Sequence, residues 1–193
     1  MNDLGPHGYP VVRVDDRAAW RRWLAENHSE ANGVWVVRPR RQADAKLDYD
    51  ALVEEALCFG WVDGRMQPID DEETMQLVTP RRPGSAWAAS NKARVAKLEQ
   101  RGALAEPGRR MIAAAKADGS WARYDSAEAL EIPDDLAAAL VANGTAATHF
   151  DAFSDAAKRG ILRWLIDAKR AETRTKRVDE TVRRAAKNEK ARP

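Results

Sequence analysis

The loop at residues 79–87, TPRRPGSAW, has the residue types of an anion-binding site. The candidate residues of this loop and of the helix expected after it are Thr79, Arg81, Arg82, Ser85, Trp87 and Asn91. Guanidinium groups bind carboxylate or phosphate through paired hydrogen bonds, and the free N–H groups at the start of a helix favour negative charge. Asn91 would place an amide on the apolar side of that helix, where it needs a partner. The pattern predicts either an anion site or a loop that these groups tie to its helix.

A second candidate surrounds the Asp63-Gly64 dipeptide, which two-residue hairpin turns favour because both positions need positive φ. We expect Trp61 to lead into this turn and residues 65–69 to form the returning strand. The carboxylate of Asp63 beside the guanidinium of Arg65 would then orient a ligand at the hairpin tip. The alternative is that Asp63 and Gly64 only make the turn.

The C-terminal helix expected after Ser154 has a strongly basic side. The arginines that recur on it at helical spacing are Arg170, Arg174, Arg177 and Arg184. Such a face binds nucleic acid phosphates with an affinity that falls as salt rises. The alternatives are a solvated helix, or one that docks on acidic residues of its own chain. No aromatic residue follows Trp164, so this segment is not expected to stack on bases.

Signals for catalysis or for a cofactor are weak. His7, His28 and His149 lie far apart, and the chain has no HExxH pair, nucleophile elbow, Walker loop or Rossmann glycine pattern. Cys58 is the single cysteine, which excludes an internal disulfide and a multi-cysteine zinc site. Its apolar neighbours indicate a buried side chain. We therefore predict no metal and no cofactor, and these signals favour a non-catalytic function over an enzymatic one, which stays the alternative.

The elements that would position these residues are helices and a few short strands. Besides the hairpin strands, we expect a short edge strand at residues 11–14, a strand at the β-branched and aromatic run 34–37, and a strand at residues 74–78, where apolar residues alternate. The acidic residues 70–73 predict a second turn. Proline and glycine residues divide the rest of the chain into helices. We expect the helix after the Arg81 loop to begin at Ser85 or Ser90, and the C-terminal helix to break near Glu172. The predicted fold is a mainly helical α+β single domain with a small antiparallel sheet and a basic C-terminal helical arm.

Length and composition set the class of protein. With 193 residues, of which 44% are hydrophobic and 32% charged, the chain is globular and has room for one main core. No apolar run reaches the roughly 20 residues that a membrane-spanning helix needs. The start, MNDLGPHGYP, lacks the basic and apolar regions of a secretory signal. We therefore expect a cytoplasmic protein.

The net charge of +2 is the sum of two opposite terms. Residues 1–155 hold 19 basic and 25 acidic side chains, a net charge of −6, whereas residues 156–193 hold 13 basic and 5 acidic ones, a net charge of +8. An asymmetry of this kind bears on binding partners rather than on fold. It predicts a mixed α+β body followed by a basic helical segment that packs on the same domain.

Five segments together form a pattern that is specific to one family. They are NGVW, EEALCFGWVDGR, TPRRPGSAW, GALAEPGRRMIAAAKADGSW and RWLIDAKRAETRTKR. From about Trp20 to Arg184 the chain resembles the YdeI/OmpD-associated family, also called the bacteriocin-protection family. The resemblance implies a role linked to resistance against cationic antimicrobial peptides and to an outer-membrane porin, without an established reaction. It also implies a small α+β domain resembling the frataxin fold. Unlike family members predicted to be periplasmic, this sequence shows no export signal.

Two functions are compatible with these observations. The first is a non-catalytic stress-resistance or antimicrobial-protection protein that binds an anionic partner through Arg81, Arg82 and the arginines of the C-terminal helix. The second is a cofactor-independent enzyme or small-ligand binder, with a cleft between the Asp63-Gly64 hairpin and the Arg81 loop. The residues expected to line that cleft are Asp63, Arg65, Trp87 and Asn91.

Overall fold

Helices and one small sheet make up the described part of the chain, which confirms the predicted α+β class. The computed structural model describes residues 4–41 and 46–191. The chain divides into two units, unit 1 with residues 1–121 and unit 2 with residues 122–193. The boundary predicted from charge, between Asp155 and Ala156, falls in the first turn of a helix of unit 2.

The sheet belongs to unit 1 and has the strand order β1-β2-β4-β3. The strands are β1 (Val11–Arg13), β2 (Val34–Pro39), β3 (Trp61–Pro68) and β4 (Glu73–Pro80). β1 pairs parallel to β2 and the other pairs are antiparallel, so the sheet is mixed and not wholly antiparallel as predicted. The reason is that helix α1 (Arg17–Asn27) connects β1 to β2 as a crossover, which parallel strands require.

The predicted hairpin turn at Asp63-Gly64 is wrong, because both residues lie inside the continuous strand β3. Neither residue has the positive φ that a two-residue turn needs. The register between β3 and β4 shifts just after Asp63, as at a β-bulge. The chain reverses instead at the acidic turn, where the Asp70 carboxylate accepts hydrogen bonds from the backbone N–H groups of Glu72 and Glu73 at 2.8 and 2.7 Å.

The helices described in unit 1 surround one hydrophobic core. After α1 they are α2 (Tyr49–Cys58), α3 (Ala89–Gln100) and α4 (Glu106–Ala117). Asp16 and Asp48 cap α1 and α2 by accepting a hydrogen bond from a first-turn N–H, each at 2.7 Å. Ala88 precedes α3 without a side-chain cap, so neither Ser85 nor Ser90 opens that helix. The larger core side chains include Trp20, Leu52, Leu57, Trp61, Trp87 and Leu98.

Unit 2 has a separate core, which is built by helices in the described residues. They are α5 (Asp125–Glu128), α6 (Asp134–Val141), α7 (Gly144–Ala152), α8 (Asp155–Ile166) and α9 (Ala171–Ala185). Ser154 caps α8 as predicted, and the break before α9 lies at residues 167–170 rather than near Glu172. α9 contacts α6, α7 and α8 and buries Val178 and Thr181. The basic C-terminal segment is therefore an integral part of the unit 2 core.

Candidate functional site

Arg81 is a buried cation at the point where β4 ends. Its backbone N–H donates to the carbonyl oxygen of Gly60 at 3.0 Å, which holds the residue against the start of β3. Only 5% of Arg81 is exposed. Its Nη2 donates to the carbonyl oxygen of Ala86, and the guanidinium lies 3.8 Å from the centre of the Trp87 ring. Trp87 therefore supports Arg81 instead of offering a free ring face to a ligand.

Arg81 has no ion-pair partner among the described residues. Its Nε atom is fully buried without a hydrogen bond, and no carboxylate oxygen lies within 4.0 Å of the guanidinium. Burial lowers the pKa of Arg81 to about 10, an effect that Asp63 opposes. The Asp63 carboxylate itself accepts a hydrogen bond from the Tyr49 hydroxyl at 2.6 Å. Arg81 is thus cationic at neutral pH, in surroundings where a bound anion would stabilise it.

Arg81 lines a cleft of about 380 Å³ in unit 1, which we call the Arg81 cleft. The other polar lining residues are His28 and Arg110. The apolar lining residues are Phe59, Gly60, Trp61, Pro80, Pro83, Pro107, Met111 and Ala114. Among the described residues, no carboxylate side chain takes part in this lining. Apolar walls with a few nitrogen donors and no acid suit a small organic anion.

His28 follows the C-terminus of α1 and adds a titratable group to the Arg81 cleft. Its Nδ1 lies 2.9 Å from the carbonyl oxygen of Leu24, which can only accept, so Nδ1 carries the proton of the neutral ring. The ring centre lies 5.3 Å from that of Phe59, and the His28 carbonyl oxygen accepts a hydrogen bond from the Trp61 indole at 3.3 Å. Sequence reasoning missed His28 and Phe59, because no local motif links them to the Arg81 loop.

Helix α4 contributes a wall of the cleft through four residues between Pro107 and Ala114. Gly108 allows this helix to approach the end of α2 closely, since an added Cβ would lie 2.3 Å from the carbonyl oxygen of Cys58. The backbone N–H of Ala105 donates to the same oxygen at 3.1 Å. Gly108 therefore determines where the wall stands. A glycine inside a helical pattern is the sequence signal for such an approach.

The structure brings together only part of the predicted site. Trp61 and Arg81 line the Arg81 cleft. Asp63 is half-buried and bonded to Tyr49, and Arg65 is exposed on β3. The predicted residues of the loop and of α3 lie outside the lining: Arg82 is exposed, Ser85 and Asn91 are half-buried, and Trp87 is buried against Arg81.

The predicted arginines that lie in α9 are Arg174, Arg177 and Arg184, and all three make contacts within unit 2. Arg174 forms a bidentate pair with Asp135, with both N···O distances at 2.7 Å. Arg177 donates to the carbonyl oxygen of Trp164 and lies 5.0 Å from the centre of that ring. At the structural boundary the charge asymmetry nearly disappears: unit 1 holds 18 basic and 18 acidic residues, and unit 2 holds 14 and 12. The units therefore have net charges of 0 and +2.

The described residues offer little support for a metal site or for a reactive thiol. They contain no group of three or more His, Cys, Asp or Glu side chains placed to hold a metal ion. Burial raises the pKa of the Cys58 thiol to about 11, so the reactive thiolate is scarce at neutral pH. None of the helices described has the length and apolar character to cross a membrane.

Two family models match this chain, one within unit 1 and the other within unit 2. A model described as Domain of unknown function (DUF8412) matches residues 12–111, which are 100 of the 193 residues. The chain belongs to the DUF8412 family. A second model, described as Bacteriocin-protection, YdeI or OmpD-Associated (OmdA), matches residues 129–188 within unit 2, which confirms the predicted family for that region. Neither a search of curated proteins nor one of solved structures found a match.

The candidate residues of the Arg81 cleft and those of α9 fall in different family regions. The DUF8412 region contains the whole lining of the Arg81 cleft except Ala114, which lies three residues beyond it. The segments NGVW, EEALCFGWVDGR and TPRRPGSAW also belong to the DUF8412 region. The segment RWLIDAKRAETRTKR, with Arg174 and Arg177, belongs to the OmdA domain.

Proposed function

We propose that this protein is a non-catalytic binding protein of the bacteriocin-protection type, and that its ligand is a small organic anion held in the Arg81 cleft. The observation that carries the proposal is that Arg81 lines the cleft while its buried guanidinium has no ion-pair partner among the described residues. An anionic head group would form paired hydrogen bonds with it. The OmdA domain supports the protective role.

The donors around the cleft match a head group with two or more oxygen atoms. The guanidinium of Arg81 has five N–H donors, and Nη2 alone has a protein acceptor. Arg110 is exposed and lies 4.0 Å from Glu106, so its guanidinium can turn toward a ligand. The rings of Phe59 and Trp61 would contact an apolar ligand body.

The proposal places the anion in unit 1 rather than on α9. Arg174 and Arg177 already have acceptors within unit 2, and the charge of that unit is nearly balanced. A nucleic acid partner for α9 and a cytoplasmic location stay predictions from the sequence.

Calorimetric titration with 2-naphthoate tests the proposal, with the neutral 2-naphthamide as the ligand control. Arg81→Met keeps an apolar stem but removes the cation, and we expect naphthoate to bind at least about tenfold more weakly, because a hydrogen bond to a charged group contributes about 1.5–3 kcal/mol. Arg82→Met is the matched control, since Arg82 is exposed in the same loop and lies outside the cleft lining. It should bind naphthoate like the wild type.

A second pair of variants leaves Arg81 in place. Ala114 is exposed and lines the cleft, so Ala114→Phe should fill the cleft with a ring and abolish naphthoate binding. Ala113→Phe adds the same ring at an exposed position outside the lining and should have no effect. If both Arg81→Met and Ala114→Phe bind naphthoate as tightly as the wild type does, or if the wild type shows no binding at millimolar concentration, the proposed function is refuted.

A further inference from the structure

We propose a second, separate oxyanion site in unit 1, formed by Arg38 and Arg40 at the end of β2. The ligand group would be a phosphate or a carboxylate. The site shares no residue with the Arg81 cleft, so it does not depend on the proposed function.

Arg38 is buried because of its register in the sheet. Side chains alternate between the two faces of a strand, which places Val34, Val36 and Arg38 on one face. Val34 and Val36 are fully buried in the unit 1 core, and Arg38 is 5% exposed. Arg38 pairs with Thr74, which is also buried. The strand thus carries a cation into a position that usually holds an apolar side chain.

The guanidinium of Arg38 has no acceptor among the described residues. Its Nε atom is fully buried without a hydrogen bond, and its side chain forms no ion pair with a described carboxylate. Its ring contact is with Tyr49, whose centre lies 5.5 Å away. An aromatic face attracts the cation but leaves its N–H donors unused. Burial also lowers the pKa of Arg38, as expected for a cation held out of water, and Tyr49 and Asp48 partly oppose this effect.

Arg38 and Arg40 both line a cleft of about 230 Å³. The other lining residues are Pro39, Met66, Pro68 and Thr74, and no described carboxylate is among them. Arg40 donates to the carbonyl oxygen of Asp70 at 3.2 Å, and its nearest carboxylate, at 4.0 Å, belongs to the fully exposed Asp71. Two guanidinium groups and no lining acid give the site a preference for an oxyanion, which guanidinium binds through paired hydrogen bonds.

The two clefts lie at different ends of β4. Thr74 is the second residue of β4, and Arg81 follows its last residue. A separation of seven residues corresponds to roughly 23 Å at about 3.3 Å per strand residue. Binding in one cleft should therefore be measurable without the other.

Nuclear magnetic resonance of the arginine Nε–H groups tests the site directly. The Nε–H of Arg38 is shielded from solvent, and Arg38→Lys assigns its signal by removing it while keeping a cation. We expect inorganic phosphate, added at constant ionic strength, to shift this signal in a saturable way, and equally in Arg81→Met. A parallel titration with acetate shows whether carboxylates bind the same site. No saturable shift with either anion, at concentrations of tens of millimolar, would overturn the proposal.

Thermal unfolding supplies a second measurement. Phosphate at about ten times its dissociation constant should raise the Tm of the wild type by roughly 3–5 °C. Arg65→Met is the matched control, because Arg65 is exposed on β3 outside this cleft, and it should show the same rise. Arg38→Met should show none. An equal rise in all three proteins contradicts the site.

Discussion

Substitution of Gly108 by alanine tests how closely α4 packs against the end of α2. The added methyl carbon would lie 2.3 Å from the carbonyl oxygen of Cys58 and 2.8 Å from that of Leu57. Real Cβ atoms essentially never come closer than 3.0 Å to a heavy atom of a residue that is not next to them in the chain. Helix α4 and the Cys58 carbonyl group would therefore have to separate by at least 0.7 Å, the difference between 3.0 and 2.3 Å. Both acceptors are backbone atoms, which cannot yield by a side-chain rotation.

The expected cost follows from two opposing effects. Alanine is better than glycine inside a helix by about 1 kcal/mol, whereas overpacking against a rigid neighbour costs about 3 kcal/mol, so Gly108→Ala should lower the free energy of unfolding by about 2 kcal/mol. Gly160→Ala is the matched control, because a Cβ added at that position of α8 meets no atom within 4 Å. It should raise the free energy of unfolding by about 0.5–1 kcal/mol.

Urea denaturation of the full chain measures both changes. Tryptophan fluorescence reports mainly unit 1, which holds six of the seven tryptophans, and far-ultraviolet circular dichroism reports the helices. Naphthoate titration of Gly108→Ala adds a functional readout, since a displaced α4 also displaces its wall of the Arg81 cleft. We expect weaker naphthoate binding. If Gly108→Ala is as stable as the wild type, or more stable, the close approach of α4 to α2 is wrong, and the described cleft wall is wrong with it.

Three further predictions concern charged and titratable groups. The native pKa of the Cys58 thiol, about 11, lies above its ordinary value of 9.0. The folded state therefore holds that proton more tightly, and stability should fall as pH rises through this range; urea midpoints of Cys58→Ala should lack this part of the fall. Glu55→Gln removes the buried carboxylate that Arg17 and Arg21 share and should lower the free energy of unfolding in urea by about 2 kcal/mol. An unchanged urea midpoint would contradict this. Arg174→Gln should lower the free energy of unfolding by less than about 1 kcal/mol, and by less again in about 1 M salt, because the ion pair with Asp135 is partly exposed. A larger loss that does not depend on salt would contradict this.

The elements predicted correctly are those with strong local signals. The β-branched and aromatic run of β2, the apolar alternation of β4 and the cap at Ser154 depend on residues a few positions apart. The prediction at Asp63-Gly64 failed although the dipeptide favours a turn, because pairing with β4 on both sides keeps β3 continuous. The chain reverses at Asp70 instead, where the carboxylate accepts two backbone hydrogen bonds. Two turn signals lie close together in this region, and their spacing in the sequence does not show which of them forms the turn.

The sequence by itself determined the α+β class, the family of the C-terminal region and the choice of Arg81 as a candidate, since each rests on residue types in short segments. The tertiary structure decided that Arg81 is buried, that His28 and Met111 share its cleft, and that Arg174 is paired with Asp135. It also showed that the opposite charges on either side of residue 155 nearly cancel within unit 2. The physical reason is that burial and ion pairing depend on contacts between residues far apart in the chain, which local pattern does not contain.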